Sequence, residues 1–415
     1  MSNELYKAVF PSDFLFGACI SDYQHFGKTV CDLPPNNGSM HIERYKEDFE
    51  LAKSLNLNSI RTSVEWSRIE PRMGEVDKGV LDFYKEYFST LKTKGLKSFV
   101  TLHHFSNPKW IHELGGWLSQ DVSKRFLTYV EFVARELCEF IDFALLFNEP
   151  GVYAFLAYYK GEKGLPPYEK NFSKLVKALE NIKSTLIQAS DVLRSYGFKG
   201  KIGFPSFVPN THPVSSFSLR ARVYARQAWS NLFYDVLDET SPSVDFIGVD
   251  YYTKNFVDST GRIVFSTIEP EALTRVLATI YLRYKKPVAV LENGLATRND
   301  ALKTRYLVDH LYSVYKAIEA GVPVLCYLWW SFLHGYEWEG YGYQPFFALV
   351  DVGEDYTRKP TQTAQQFSEI AKNAHNQRGF VAQGARNELS QKNKGLEVAR
   401  PRASSDYLRA LSPSL

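Results

Sequence analysis

The sequence predicts an α/β protein, a (β/α)8 TIM barrel in a single domain, and three observations lead there. Short apolar runs alternate with longer amphipathic segments from residue 14 to residue 374, the pattern of repeated βα units around a parallel sheet. Run after run ends in polar or aromatic residues, which a barrel would gather at one mouth. No GxGxxG or GxxxxGK[ST] loop follows any run, so a doubly wound nucleotide-binding sheet has no support.

Taken in order, the first run is Phe14-Leu15-Phe16-Gly17-Ala18-Cys19-Ile20, which breaks into Ser21-Asp22-Tyr23-Gln24-His25. A loop with Pro34, Pro35 and Gly38 precedes a helix over 42–55, where Tyr45, Phe49 and Ala52 recur at helical spacing. Strand two, 58–64, carries Arg61, a cation that burial tolerates only when paired. Helix two, 78–95, closes at Gly95, and strand three, 97–104, ends in His103 and His104. Helix three covers 121–139 and feeds strand four at Phe143, whose apolar run ends in Asn148-Glu149-Pro150. Helix four, 172–196, stops at Gly197 before strand five at 201–207. Helix five, 218–238, leads to strand six, 244–252, and helix six, 270–285, to strand seven, 287–292. Helix seven, 299–320, strand eight, 323–329, and helix eight, 360–374, complete the ring.

A chain of 415 residues with 45% hydrophobic content can bury a large core, as one α/β barrel or as two ordinary domains. The formal charge of +3 gives little reason to expect nucleic-acid or membrane partners. Met1 to Lys7 lacks a basic segment followed by an apolar stretch, and no run approaches the length of a membrane span, so a soluble cytoplasmic protein is expected. Cys19, Cys31, Cys138 and Cys326 are scattered without metal-ligand spacing and read as reduced packing thiols. Residues 1–375 are expected to form the barrel. Residues 376–415, with seven Lys/Arg against three Asp/Glu and few large apolar groups, are expected to be a disordered basic tail.

The chemistry is concentrated at two strand ends. Val288-Ala289-Val290-Leu291 runs into Glu292-Asn293-Gly294 much as Leu145-Leu146-Phe147 runs into Asn148-Glu149-Pro150. Either Glu alone would pass for a helix cap or a solvated loop residue. Two carboxylates, each closing a buried parallel strand, are what a barrel-based retaining glycosidase needs. The 26 Tyr, 29 Phe and 7 Trp serve a core first, and also suit a pocket that stacks on sugar rings.

Seven short motifs then occur in order: Ser21-Asp22-Tyr23-Gln24, Arg61-Thr62-Ser63-Val64-Glu65-Trp66-Ser67-Arg68-Ile69, Thr101-Leu102-His103-His104, Phe147-Asn148-Glu149-Pro150, Asp250-Tyr251-Tyr252, Leu291-Glu292-Asn293-Gly294, and Trp330-Ser331 with Glu337-Trp338. By these the chain, from Phe14 to about Asp351, resembles glycoside hydrolase family 1, the retaining β-glycosidases. The resemblance implies Glu149 as general acid/base and Glu292 as nucleophile, with Arg61 beside Glu292 keeping it ionised and the Glu292 charge raising the pKa of Glu149. It implies Asn148 as a donor to the sugar 2-OH and Tyr252 as a hydrogen-bond partner of Glu292. Gln24, His104, Glu337 and Trp338 are the implied partners of the ring hydroxyls, with Trp330 as apolar floor and Phe347 nearby. No cofactor and no metal is implied.

The implied activity is exo-hydrolysis of β-glucosides, extending to β-galactosides or β-fucosides, with a small-molecule glycoside or short oligosaccharide as partner. The alternatives are an internally cleaving barrel glycanase and a non-catalytic or weakly active carbohydrate-binding protein on the same barrel. Glu337, followed by Tyr343-Gln344-Pro345 in place of Lys-x-Tyr, disfavours the phospho-sugar branch. The chain departs from the family pattern at Asp250, where Asn is usual, and at Leu146 and Leu291, where Thr is usual. The loop after Gln24 and the segment from Tyr252 to Val288 are short, from which a more open cleft is expected.

Overall fold

In this computed structural model residues 5–229, 233–338, 342–344, 347–376 and 380–383 are described, with the backbone alone for 5–7, 227–229, 337, 342–344 and 380–383. Nine parallel segments form the central sheet: β1 (Leu15–Cys19), β2 (Ser59–Ser63), β3 (Lys97–Thr101), β4 (Phe143–Leu145), β5 (Lys201–Gly203), β6 (Pro205–Phe207), β7 (Ile247–Asp250), β8 (Val288–Asn293) and β9 (Val324–Trp329). They pair in the order β5-β4-β3-β2-β1-β9-β8-β7-β6. Phe204 alone separates β5 from β6, so the two ends of the sheet are continuous in the chain and the ring closes there. Strand five is thus one barrel position in two halves: β5 pairs with β4 through Phe143↔Lys201, and β6 with β7 through Pro205↔Gly248.

The surrounding helices are α1 (His41–Ser54), α2 (Lys78–Thr93), α3 (Gln120–Leu137), α4 (Phe172–Ser195), α5 (Leu219–Trp229), α6 (Pro270–Tyr284), α7 (Asp300–Glu319) and α8 (Gln362–His375). Local chemistry sets most boundaries. The side chains of Asp77, Ser119, Asn171, Asn299 and Thr361 accept the first free amides of α2, α3, α4, α7 and α8. Gly95, Gly197 and Gly321, at φ 70°, 78° and 85°, end α2, α4 and α7 in the left-handed conformation.

Two layers of core result. Inside the ring, Cys19, Phe99, Leu145, Phe246, Ala289, Leu291, Cys326 and Leu328 pack together, with Phe99 stacked on Phe143 at 4.1 Å. Between ring and helices lies the larger core, built from residues such as Phe16, Ile60, Val100, Ile202, Val249 and Val290. Period-two alternation along each strand divides the two sets. All four cysteines are free thiols, and Cys19, Cys31 and Cys326 are buried.

The structure differs from the sequence reading in four places. The strand expected over 244–252 shortens to β7, while the helix expected over 218–238 is seen as α5 and the short helix Asp235–Thr240, with 230–232 between them outside the described residues. A helix not anticipated, Pro150–Tyr158, starts directly after Glu149 with proline in its first turn. Loops on the mouth side form a three-stranded sheet from Thr211–Pro213, Lys254–Val257 and Ile263–Thr267. Phe380–Gln383, assigned to the tail, is a strand paired antiparallel with Leu5–Ala8. The rest of the expected tail, 384–415, lies outside the described residues. No described helix is long and apolar enough to cross a membrane.

The stacked pair inside the ring makes a direct stability prediction. Phe99→Ala should lower unfolding free energy by about 3–5 kcal/mol, read from chemical or thermal unfolding midpoints. A loss below about 1 kcal/mol would show that the interior collapses freely around the missing ring.

Candidate active site

At the C-terminal end of the ring the strands deliver polar groups in place of apolar ones. Arg61 from β2, Asn148 and Glu149 just beyond β4, Asp250 from β7, Tyr252 two residues later and Glu292 from β8 meet near the barrel axis. On β8, Ala289 and Leu291 face the interior while Val288 and Val290 face the helices. Strict alternation would send Glu292 outward. The pairing of β8 is irregular after Val290 against both β7 and β9, and such bulges re-aim the side chain that follows. Glu149 is turned by a different device, a left-handed backbone at φ 39° and ψ 67°. That conformation is strained for a residue with a Cβ. It is held by its amide donating to the Pro205 carbonyl at 3.0 Å and its carbonyl accepting from Tyr153 at 2.9 Å.

One carboxylate oxygen from each of Glu149, Asp250 and Glu292 lies within 4.8 Å of the other two, and all three residues are buried. Both oxygens of Glu292 are occupied. Arg61 Nη1 donates to Oε1 and the Tyr252 hydroxyl to Oε2, each at 2.5 Å. Arg61 also donates to Asn148 Oδ1 at 2.5 Å, to the Leu291 carbonyl at 3.3 Å and to Thr101 Oγ1 at 3.3 Å. A guanidinium has donors only, so the Asn148 carbonyl must face it and the amide nitrogen points elsewhere. Glu149 has no such cation against it. Burial, and after it the Glu292 charge, push its pKa up to about 8, with Asp250 and Arg61 opposing. The larger cause is burial, where the sequence reading had named the Glu292 charge. Burial and the two neighbouring carboxylates also hold Asp250 well above the usual carboxylate range.

Three convergent carboxylates could in principle chelate a cation. Arg61, buried and in contact with Glu292, places a fixed positive charge beside them, which favours protons and an electrophilic carbon over a metal.

Around this centre lie the residues singled out for recognition. Gln24 is fully buried, with Oε1 accepting from Ser21 at 2.7 Å and Nε2 unpartnered. A buried amide donor without a partner suits a ligand oxygen. His104 lies between two indoles, its ring 5.7 Å from Trp330 and 5.8 Å from Trp338, both nearly parallel. Burial first, then Arg61, holds its imidazole neutral. Phe347 packs against Tyr252 at 5.8 Å, and its carbonyl accepts from Trp329 Nε1. The Glu337 side chain lies outside the described residues; its backbone is in the strand Gly335–Glu337. The Trp330–Ser331 peptide is cis. Three participants were not singled out as site residues from sequence. Tyr23 stacks on Trp338 at 5.2 Å, Thr101 accepts from Arg61, and Asp250 completes the carboxylate triangle. All three lie inside the quoted motifs, so their positions at strand ends were the available signal.

The Arg61 interaction can be tested without any substrate. Arg61→Met leaves buried carboxylates without their cation and should cost about 3–5 kcal/mol of stability near neutral pH. The deficit should shrink as pH falls, because protonation removes the uncompensated charge; a thermal-midpoint series across pH that shows a constant deficit would contradict the ion pair's role.

Comparison with known proteins agrees with this geometry. The model of glycosyl hydrolase family 1 matches residues 6–240 and 262–376. Beta-glucosidase A of Acetivibrio thermocellus is 26% identical over 454 residues, covering 88% of this chain and 99% of that protein. The chloroplastic galactolipid galactosyltransferase SFR2 of Arabidopsis thaliana is 28% identical over 83% of this chain, which spans only 62% of the plant protein. Among solved structures, the beta-glycosidase from Pyrococcus horikoshii superposes with a TM-score of 0.81 at 29% identity, covering 89% of this chain and 96% of that one. The beta-glucosidase from Thermotoga maritima in complex with glucoimidazole gives 0.78 at 25% identity, covering 88% and 99%. With the ring of strands, the paired carboxylates at its mouth and a family model matched along most of its length, the chain belongs to glycosyl hydrolase family 1 and is a glycoside hydrolase.

Proposed function

We propose that this hydrolase is a retaining exo-β-glycosidase that cleaves β-glucosides, with β-galactosides and β-fucosides as further substrates, through a covalent glycosyl-enzyme. The observation that supports this best is the separation of the Glu149 and Glu292 carboxyl oxygens, within 4.8 Å. Retaining enzymes hold their carboxyl groups about 5–5.5 Å apart, whereas inverting ones leave about 6.5–9.5 Å for a water.

The different surroundings of the two groups assign their roles. Glu292, with a guanidinium on one oxygen and a phenol on the other, is satisfied as an anion and serves as nucleophile. Its oxygen attacks the anomeric carbon as the bond to the leaving oxygen breaks, and Glu149 gives that oxygen its proton. Glu149, now a carboxylate, then takes a proton from water as the water oxygen attacks the anomeric carbon and the ester to Glu292 breaks. Asn148 is turned by Arg61 so that its amide nitrogen can donate to the sugar 2-OH, a bond that tightens as charge develops. Gln24, His104, Glu337 and Trp338 bind the ring hydroxyls, Trp330 forms the floor, and Phe347 supports Tyr252. The relatives named beta-glucosidase support the choice of sugar. The short loops leave the leaving-group side open, consistent with varied aglycones.

Kinetics on aryl β-glycosides test the assignment. NMR of the first-formed product should show retention in wild type. Glu292→Gly should lose hydrolysis and, with azide, yield the inverted glycosyl azide; inversion by the wild type would sink the reading. Glu149→Ala should lower kcat/KM about 10²–10⁴-fold for alkyl glucosides and far less for dinitrophenyl glucosides, whose leaving group needs no proton.

The acid must be protonated to act, so kcat/KM should fall as pH rises past the Glu149 pKa near about 8. A pH–rate profile in which Glu149→Gln leaves the alkaline limb unmoved would separate that limb from this residue.

A further inference from the structure

Asp250 closes β7, in register with Glu292 on β8 and Phe207 on β6, and is fully buried. Neither of its oxygens accepts a hydrogen bond from a fixed donor, and its one side-chain hydrogen bond is the carboxyl–carboxyl contact with Glu149. The charged and titratable groups that face it are Glu149, Glu292, Arg61, Cys19 and Tyr252. Every fixed donor among them, the titrating Glu149 carboxyl aside, is directed elsewhere. Arg61 serves Glu292, Asn148, Leu291 and Thr101, the Tyr252 hydroxyl serves Glu292, and the Cys19 thiol serves the Leu291 carbonyl at 3.1 Å.

An ionised carboxylate presents about four acceptor sites and is expensive to bury with none filled. A neutral carboxyl has the opposite need, an acceptor for its own O–H. Both Glu292 oxygens already receive donors, so the Glu149 carboxyl is the acceptor left within reach.

We infer that Asp250 is a positioning residue, kept as a neutral carboxylic acid, which donates its O–H to the Glu149 carboxylate while that group waits to activate water. The inference rests on the retaining reading above. In the first displacement the Glu149 proton leaves with the aglycone oxygen and the Glu292 charge is consumed in the ester. The anion then sits on Glu149, where Asp250 O–H can hydrogen-bond it and fix the oxygen that takes the water proton. The Asp250 proton is shared but never transferred, so each turnover returns the site unchanged. An asparagine, usual here in the resembling family, would offer an amide N–H from the same position, and a protonated aspartate supplies the equivalent donor.

Two measurements test this. In infrared spectra of the wild-type protein labelled with carboxyl-13C aspartate, a neutral-acid carbonyl band near neutral pH should shift with the label and vanish in Asp250→Asn. Absence of such a band overturns the protonation, whatever the activity. On a dinitrophenyl β-glucoside, where kcat reports breakdown of the glycosyl-enzyme, Asp250→Ala should lower kcat about 10- to 100-fold, the worth of one hydrogen bond to a charged group. Asp250→Asn should recover most of that loss and abolish the alkaline fall in kcat that ionisation of Asp250 produces. An Asn variant as slow as the Ala variant, or one that keeps the same alkaline fall, overturns the positioning role. A labelled band in a wild type that inverts configuration would instead overturn the retaining reading and, with it, the second-step role.

Discussion

The mouth of this barrel is arranged around one buried cation. Arg61 lies in the interior of a ring otherwise filled with aliphatic and aromatic side chains, and a guanidinium there is tolerable only if its donors are met. The partners come from different strands: Thr101 from β3, Asn148 from beyond β4, and Glu292 with the Leu291 carbonyl from β8. A single side chain therefore fixes the relative positions of groups far apart in sequence. It also divides the two carboxyls chemically, since Glu292 has the guanidinium in contact and Glu149 does not.

The ring separates stability from chemistry along its axis. Toward the N-terminal end of the strands Phe99, Phe143 and Phe246 fill the interior, with Phe143 stacked on one neighbour and edge-on to the other. Toward the C-terminal end the same strands present charges, amides and hydroxyls that the protein's own fixed groups leave partly unmet, as at Gln24 and Asp250. The strained backbone at Glu149 belongs to this second half, where the apolar half provides the stability to hold it.

Much of this was legible in the sequence, for identifiable reasons. Apolar runs that break into polar residues marked strand ends, and Gly95 and Gly197 marked helix ends. The juxtaposition of Arg61 and Glu292 was what the resemblance of the motifs around them implied. What escaped were features set by distant neighbours. The interruption at Phe204 and the bulge that turns Glu292 inward depend on the pairing of adjacent strands, which no local pattern reveals. Asp250 was visible as an unusual residue, but that every nearby fixed donor points elsewhere is a property of the assembled site.

The pairing of Leu5–Ala8 with Phe380–Gln383 bears on how the molecule comes together. The seam between β1 and β9 is the longest-range junction in the ring, joining Leu15 to Cys326. It cannot be sealed on the ribosome until Trp329 has emerged, and the clasp with Phe380–Gln383 forms later still. Until then β1 lacks one of its two neighbours and leaves an edge unpaired. Such a waiting state is exposed to self-association, and the clasp ensures that once the seam has formed, neither end peels away without the other.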